Sequence, residues 1–382
     1  MSNIPKYING PINYVYLKGN INGINKNIYL FMDKHNKLYE QTRCKSFDSV
    51  DITYYLYKLI KDTEKNIDFF MEIQESEIIK PVTNNKYIYI VEVENLFKSE
   101  FIEESIENNR IIRYSKTNPK VRLHYLDIRD HLGLFKITTD LITNGIKKNF
   151  KLLQNDLNNK KNYVKKILVD LDKIDNILET LTDNILEIVK NLNNLYSKND
   201  DKQKYFLNKS LNKYEHNDLK KNIFSFVCEN YFVILNNLSV NINNLKIKIR
   251  FSESYNIDIN EINKLIEQIY ELSIDIYSLF TDIYLIRRIL DKNYVNECII
   301  YSGVQHSINY IYFLIKYYGF EIIKIYHSEE KDINKIINSI LNAKSLYDIY
   351  KLFFNSSINY IQCINYEPLF KSEDRLRIKH TQ

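Results

Sequence analysis

Tryptophan is absent from the 382 residues, and Ala343 is the only alanine, while Asn, Ile, Lys and Tyr recur throughout. Such a skew is what an AT-rich genome imposes on codon choice, so the Asn-rich stretches carry little functional information. Long apolar runs are also missing. Ile88 to Val91 and Tyr310 to Ile315 stop far short of the ~20 residues that cross a bilayer, so no membrane anchor is expected. Met1 to Pro5 has no basic stretch leading into an apolar one, which predicts no signal peptide and a cytosolic setting. Cys44, Cys228, Cys298 and Cys363 contain no Cys-x-x-Cys pair, which argues against a zinc cluster or a disulfide framework and predicts reduced, structural thiols. Neither sign of charge dominates: 53 basic residues against 48 acidic give +5, and no nucleic-acid surface is indicated. No GxxxxGK[ST] loop, GxGxxG turn or Gly-x-Ser-x-Gly elbow occurs, which removes the commonest nucleotide and serine-hydrolase readings.

What remains is a chain with 45% hydrophobic and 13% aromatic residues, enough to fill a core of one large or two ordinary domains. Its patterning divides it into an N-terminal half of an α/β core (1–135), a helical insertion (136–292), a C-terminal half of the core (293–370) and a polar tail (371–382). The fold class expected is α/β, a mixed and largely parallel sheet flanked by helices, with a large all-helical insertion. Tyr14 to Lys18 and Asn27 to Met32 flank Asn22-Gly23 as a tight hairpin. A helix running to Lys61, a strand Ile67 to Ile73, a helix Tyr87 to Glu104 and a strand Val121 to Asp127 follow.

In the middle region two heptad series run from Ile167 to Leu195 and from Ile262 to Leu290 and predict two long helices packed as an antiparallel pair. An oligomer interface is the other use of those heptads. Ser197 to Tyr214 reads as an exposed connection before a helix near Asn222 to Leu238. Afterwards Cys298 to Tyr301, a helix Ser307 to Tyr318 closed by Gly319, and Phe320 to Tyr326 predict a parallel β-α-β unit. A helix from Ser345 through Phe354 and a last strand, Tyr360 to Tyr366, complete the core.

In an open parallel sheet ligands bind beyond the carboxyl ends of the strands, so the polar residues there are the ones to collect. The strand ending at Met32 runs into Asp33-Lys34-His35, and the strand Ile67 to Met71 runs into Glu72. Val121 to Leu126 runs into Asp127-Ile128-Arg129-Asp130-His131, and Cys298 to Tyr301 runs into Gly303-Val304-Gln305-His306. Any one of these is most simply a turn or cap; their joint position suggests a site. His35, Glu72, Asp127, Arg129 and His306 form the candidate catalytic set, with Asp33, Gly303, Gln305 and His131 as candidate substrate-binding residues. An imidazole held by a carboxylate can deprotonate water, and an arginine can hold an anion. Alternatively, His35, Glu72 and His306 are two imidazoles and a carboxylate, the ligand set of a divalent metal. His124 lies inside a strand and reads as a satisfied sheet residue; His216, His327 and His380 read as surface.

Phe31-Met32-Asp33-Lys34-His35, Phe70-Met71-Glu72, Leu126-Asp127-Ile128-Arg129 and Ile299 to His306 with Gly319-Phe320 resemble the Tiki/TraB and erythromycin-esterase/ChaN-like superfamily. In that superfamily Gly-x-x-His motifs follow the first core strand and a late strand, a Glu follows an early strand, and a helical block lies between. Only Gly303-Val304-Gln305-His306 matches such a motif outright; at the first, Met32 stands where the family has Gly. The resemblance implies a hydrolase-like α/β fold, with metal-dependent peptide cleavage, ester hydrolysis and, in one branch, haem binding among the relatives' activities. The chain also looks like uncharacterised proteins of mimivirus-like giant DNA viruses, which share the Phe-Met-Asp-x-His and Leu-His-Tyr-x-Asp-Ile-Arg-Asp phrases and imply a host-cytoplasm or virion setting. The expected function is hydrolysis of an unknown small-molecule or peptide substrate, with no nucleic-acid or membrane partner and with self-association through the helical region left open. A non-catalytic structural or host-interaction protein on a degenerate hydrolase fold is the alternative, and a haem- or ligand-binding module ranks third.

Overall fold

The computed structural model describes residues 5–82, 88–107, 110–156, 159–190, 202–251, 258–328, 330–343, 346–353 and 361–365. By its internal contacts the chain divides into two compact units, one made of Met1–Asp127 with Arg288–Gln382 and the other of Ile128–Arg287. In chain order the first part contributes β1 (Tyr7–Asn9), β2 (Asn13–Ile21), β3 (Ile24–Asp33), β4 (Ser49–Asp51), α1 (Ile52–Asp62), β5 (Ile67–Gln74), α2 (Glu75–Ile78), α3 (Tyr89–Glu100), β6 (Phe101–Glu107), β7 (Arg110–Ser115) and β8 (Val121–Asp127). Then come α4 (Gly133–Asp140), α5 (Lys148–Asn155), α6 (Lys160–Lys190), α7 (Lys202–Leu211), α8 (Asn217–Phe251) and α9 (Ile259–Leu290). The chain returns through β9 (Glu297–Gly303), α10 (Val304–Tyr318), β10 (Glu321–Ile325), α11 (Ile333–Asn342), α12 (Leu346–Phe353) and β11 (Cys363–Asn365).

Eight strands form one sheet in the order β10-β2-β3-β9-β5-β8-β7-β6. Its four central strands, β3, β9, β5 and β8, are parallel, whereas both flanks are antiparallel. The sheet is therefore mixed and not largely parallel. Local chain chemistry is the reason. Asn22 (φ 52°) and Gly23 (φ 83°) make the two-residue turn that folds β3 back on β2. β10 docks antiparallel on the outer edge of β2, so β9 and β10 are not neighbours: β3 and β2 stand between them. β9 is buried on both faces from Cys298 to Ser302, the continuous burial of a central parallel strand.

The helix expected to run on to Glu104 ends at Glu100. The Glu100 carboxylate is buried and accepts the hydroxyls of Ser115 (2.6 Å) and Thr117 (2.7 Å), which ties the helix end to the β6–β7 hairpin. A smaller sheet, β11-β1-β4, pairs β1 parallel to β4 and antiparallel to β11. Beside it, Cys44 and Cys363 form a disulfide with Cα atoms 5.0 Å apart, which corrects the expectation of reduced cysteines. Residues 319 positions apart in sequence give no spacing signal that could have paired them. His327 is not a free surface residue either, since its backbone N–H donates to Asn13 and its Nε2 lies 3.2 Å from the Cys363 carbonyl. The strand expected to span Tyr360 to Tyr366 is described only as Cys363–Asn365, and the polar tail lies outside the described residues.

In the helical unit the first heptad series is buried from Ile167 to Ile188, and the second from Ile262 to Ile286 apart from Leu272. The two helices that carry them are not the antiparallel pair expected. α8 is one 35-residue helix, longer than expected, and it runs antiparallel to both. Thr182 meets Tyr231 (2.8 Å) and Asp172 meets Lys246 (2.7 Å) between α6 and α8; Lys248 meets Glu261 (2.6 Å) and the Tyr231 and Phe280 rings lie 6.1 Å apart between α8 and α9. α6 and α9 thus point the same way. The exposed connection expected over Ser197 to Tyr214 contains α7, which buries Phe206, Leu207 and Leu211. Among the described residues α8 is the one helix long and apolar enough to cross a membrane, and a stripe including Tyr231, Leu238, Ile242, Leu245 and Ile249 is buried within the unit.

At the amino-terminal ends of the central strands lies a buried ionic network. Arg122 donates from Nε and Nη2 to the two oxygens of Asp68 (2.7 and 2.5 Å), His124 Nε2 stands 2.7 Å from Asp68 Oδ1, and Arg288 reaches His124 Nδ1 at 2.7 Å. His124 is a satisfied sheet residue, as its strand position suggested. Burial, reinforced by the Arg288 charge, pushes its pKa down to about 4 against the pull of Asp68. A histidine held neutral in the folded chain stabilises it fully above the unfolded value of ~6.5, and that stability is lost as pH falls from there to about 4. Urea unfolding at pH 7.5 and pH 4.5 should show an acid loss containing a contribution of about 3 kcal/mol from this residue. The loss should shrink in His124→Gln; an equal loss in the variant would remove His124 as its source.

Candidate active site

The carboxyl edge of the central strands brings three of the expected ionisable groups together. β9 enters the sheet between β3 and β5, so the residues that follow it lie between those that follow β3 and those at the end of β5. β5 pairs regularly with β8 through Met71 and then shifts register before Gln74; Glu72 sits in that irregularity. Bulges of this kind re-aim a side chain at a strand end. The Glu72 side chain, 7% exposed, turns toward β9, where its Oε2 accepts the Gly303 N–H at 2.6 Å. Its Oε1 lies 3.3 Å from Nε2 of His306, which is buried in the first turn of α10. Oε2 is also 3.9 Å from Nε2 of His35. One carboxylate thus faces two imidazoles and a backbone donor.

Gly303 matters for close approach and not for dihedral freedom, since its φ of −57° is open to any residue. A Cβ there would stand 3.3 Å from Glu72 Oε2, a tight approach, and 3.5 Å from the His35 ring, an ordinary contact, so glycine leaves Glu72 the room to accept the Gly303 N–H closely. His35 itself carries the unusual backbone, with φ 53°. That conformation is uncommon for a residue with a Cβ and is held here by Asp33, whose Oδ1 accepts the His35 N–H at 2.5 Å. Asp33 Oδ2 in turn accepts the Tyr301 hydroxyl at 2.7 Å, from the neighbouring strand β9. Asp33 and Tyr301 are buried, whereas the His35 side chain is 44% exposed. His35 is the open side of the cluster.

The electrostatics follow from burial and these partners. Burial alone would raise Glu72, but His306, His35 and the Gly303 N–H together hold it far below the usual carboxylate range, so it is ionised at any ordinary pH. Burial raises Asp33 despite its two donors and pushes the Tyr301 phenol well up. Glu94 of α3 is also raised, first by burial and then by its acidic neighbours Glu77 and Glu72, against the pull of Lys98 and His35.

The remaining expected residues are placed elsewhere. Asp127, at the end of β8, accepts a bond from Gln74 at 3.3 Å, and Gln305 is exposed on the first turn of α10. Arg129 and His131 belong to the helical unit, where the Arg129 guanidinium lies 5.7 Å from the Phe135 ring and buried His131 stacks on Phe206 at 4.1 Å. The cluster of the first unit is built without them. Among the described residues no group of three or more His, Cys, Asp or Glu side chains has the geometry to hold a metal ion. One contributor, Tyr301, escaped sequence reasoning, although a tyrosine in a buried strand needs a partner for its hydroxyl.

Comparison with known proteins places this chain in a wider group. Residues 6–371 match a family described as a family of unknown function, DUF5847. Uncharacterized protein R706 of Acanthamoeba polyphaga mimivirus is 30% identical over 96% of this chain and 99% of its own length. Proteins R161 and R160 of the same virus are each 28% identical, over 93% and 92% of this chain and 95% and 94% of their own. No solved structure matches the chain.

Removing the Tyr301 hydroxyl leaves a buried Asp33 oxygen short of a donor. Tyr301→Phe should therefore cost about 1–3 kcal/mol in urea unfolding at neutral pH. A change below about 0.5 kcal/mol would mean that the bond contributes nothing to stability.

Proposed function

The chain belongs to the DUF5847 family, and we propose that it is a hydrolase working by water attack at the cluster of His35, Glu72 and His306. The observation that carries this reading is the single ionised carboxylate set 3.3 Å from one imidazole and 3.9 Å from another, at the sheet edge where α/β folds bind ligands. Glu72 fixes His306. His35, the exposed member, takes the proton from the attacking water; His306 enters the step protonated and gives its proton to the leaving group, after which His35 releases its proton to solvent and His306 regains one from it. α10 begins at the same edge, and the positive end of its dipole favours the negative charge that develops on a carbonyl oxygen in the transition state. Asp33 and Tyr301 act through His35 by setting its backbone.

The substrate itself is not fixed by the resemblance to the Tiki/TraB and erythromycin-esterase/ChaN-like superfamily, but esters and peptides, the bonds its members cleave, are the classes to try first. The step described needs no metal. A panel of p-nitrophenyl esters and fluorogenic peptides tests the reading. Turnover by the wild type should fall about 10²- to 10⁴-fold in His306→Asn and Glu72→Gln, the range general acid-base groups supply. Equal rates in wild type and both variants, with folding confirmed by circular dichroism, would sink it.

A further inference from the structure

The segment that leaves His35 is held to the end of the chain by more than its own packing. After the 3-10 turn Leu38–Glu40, Thr42 and Gln362 form a reciprocal pair: Thr42 N–H donates to Gln362 Oε1 at 2.9 Å and Gln362 N–H to Thr42 Oγ1 at 2.8 Å. Tyr89 of α3 donates its hydroxyl to the Thr42 carbonyl at 3.2 Å, and Cys44 N–H donates to Asn9 Oδ1 at 2.7 Å. The Cys44–Cys363 disulfide closes this arrangement covalently. β11, which carries Cys363, is a three-residue strand whose ladder is to β1. Short edge strands are weak on their own, so the covalent bond supplies much of what keeps β11 and residues 36–44 together.

Both bridged cysteines are half-buried; Cys298, by contrast, is fully buried and its thiol is pushed well up. Buried bridges resist reduction, whereas accessible ones are the labile and regulatory kind, and disulfides in reducing compartments are characteristically transient. We propose that the Cys44–Cys363 bond is a redox latch on the His35 segment, closed as the disulfide and released by a dithiol reductant. As regulation of the same site it rests on the hydrolase reading for its effect on turnover; as a structural device it does not.

The chemistry balances. One thiolate of the dithiol attacks either sulfur, the S–S bond breaks, and a mixed disulfide forms. The reductant's second thiol resolves it and leaves as an intramolecular disulfide. Two electrons and two protons end on Cys44 and Cys363 as thiols.

The full chain tests this with dithiothreitol as the dithiol. Alkylation in denaturant without reductant should label two cysteines, Cys228 and Cys298, and after reduction four. Hydrogen exchange at 36–48 and 361–365 should rise at least tenfold in the reduced protein and in Cys44→Ser, while 297–318 stays unchanged. If Cys44→Ser fails to fold, reduction of the wild type carries the comparison. Labelling of four cysteines before reduction, or exchange that ignores reduction, would overturn the latch. If the ester panel shows turnover, it should fall several-fold on reduction, recover on reoxidation and become insensitive to reductant in Cys44→Ser. Turnover indifferent to a broken bond would overturn control of the site. Exchange that responds while neither redox state turns over any substrate would sustain the latch and count against the hydrolase reading.

Discussion

β9 has to enter between β3 and β5, and nearly every feature of the first unit follows from that requirement. It is paired on both sides by parallel ladders, residue against residue from Asn27–Glu297 to Asp33–Gly303 on one side and from Asp68–Cys298 to Met71–Tyr301 on the other. A strand so placed has no solvent face, which is why its side chains from Cys298 to Ser302 are all buried. Its last residues also bring Tyr301 to Asp33, Gly303 to Glu72 and, one turn later, His306 to the same carboxylate. Without that insertion the cluster would have two halves and no centre.

The two ends of the central strands each bury an acid, and the contrast shows what makes one a candidate site. At the amino end Asp68 is enclosed by Arg122 and His124, with Arg288 beyond, and the histidine is kept neutral. Such a network fixes register and strand order at the cost of desolvating charge. At the carboxyl end Glu72 is as deeply buried, yet one of its imidazole neighbours is open to solvent. The same residue types serve packing in one place and present a reactive group in the other.

How much of this the sequence discloses depends on the range of the interaction involved. The Asn22-Gly23 turn, the central strands and the heptads of α6 and α9 are local patterns, and they were legible. Strand partnership is not local. Nothing in Phe320 to Tyr326 says that it pairs with β2 on the far side of β3, and nothing in the heptads says that α8 returns between α6 and α9. In the site, His35, Glu72, Gly303 and His306 were readable because all four sit where strands leave the sheet. Arg129 and His131 obeyed the same rule and belong to the other unit, because the chain crosses into it immediately after Asp127. The Cys44–Cys363 bond links positions with no common motif, and only the three-dimensional arrangement pairs them.

The helical unit is one unbroken stretch lying between β8 and β9. On a ribosome this order matters. Six of the eight strands emerge before the helical unit, lacking the central β9 and the edge strand β10, and at ordinary elongation rates roughly 10–30 s pass before β9 follows. During that interval β3 and β5 present unsatisfied parallel edges, the kind that invite pairing with another nascent chain. The helices of Ile128–Arg287 are contiguous and can complete their own packing in the meantime. Newly made protein should therefore depend on holding factors early in its synthesis, and truncation before Glu297 should yield aggregates and not a smaller folded protein.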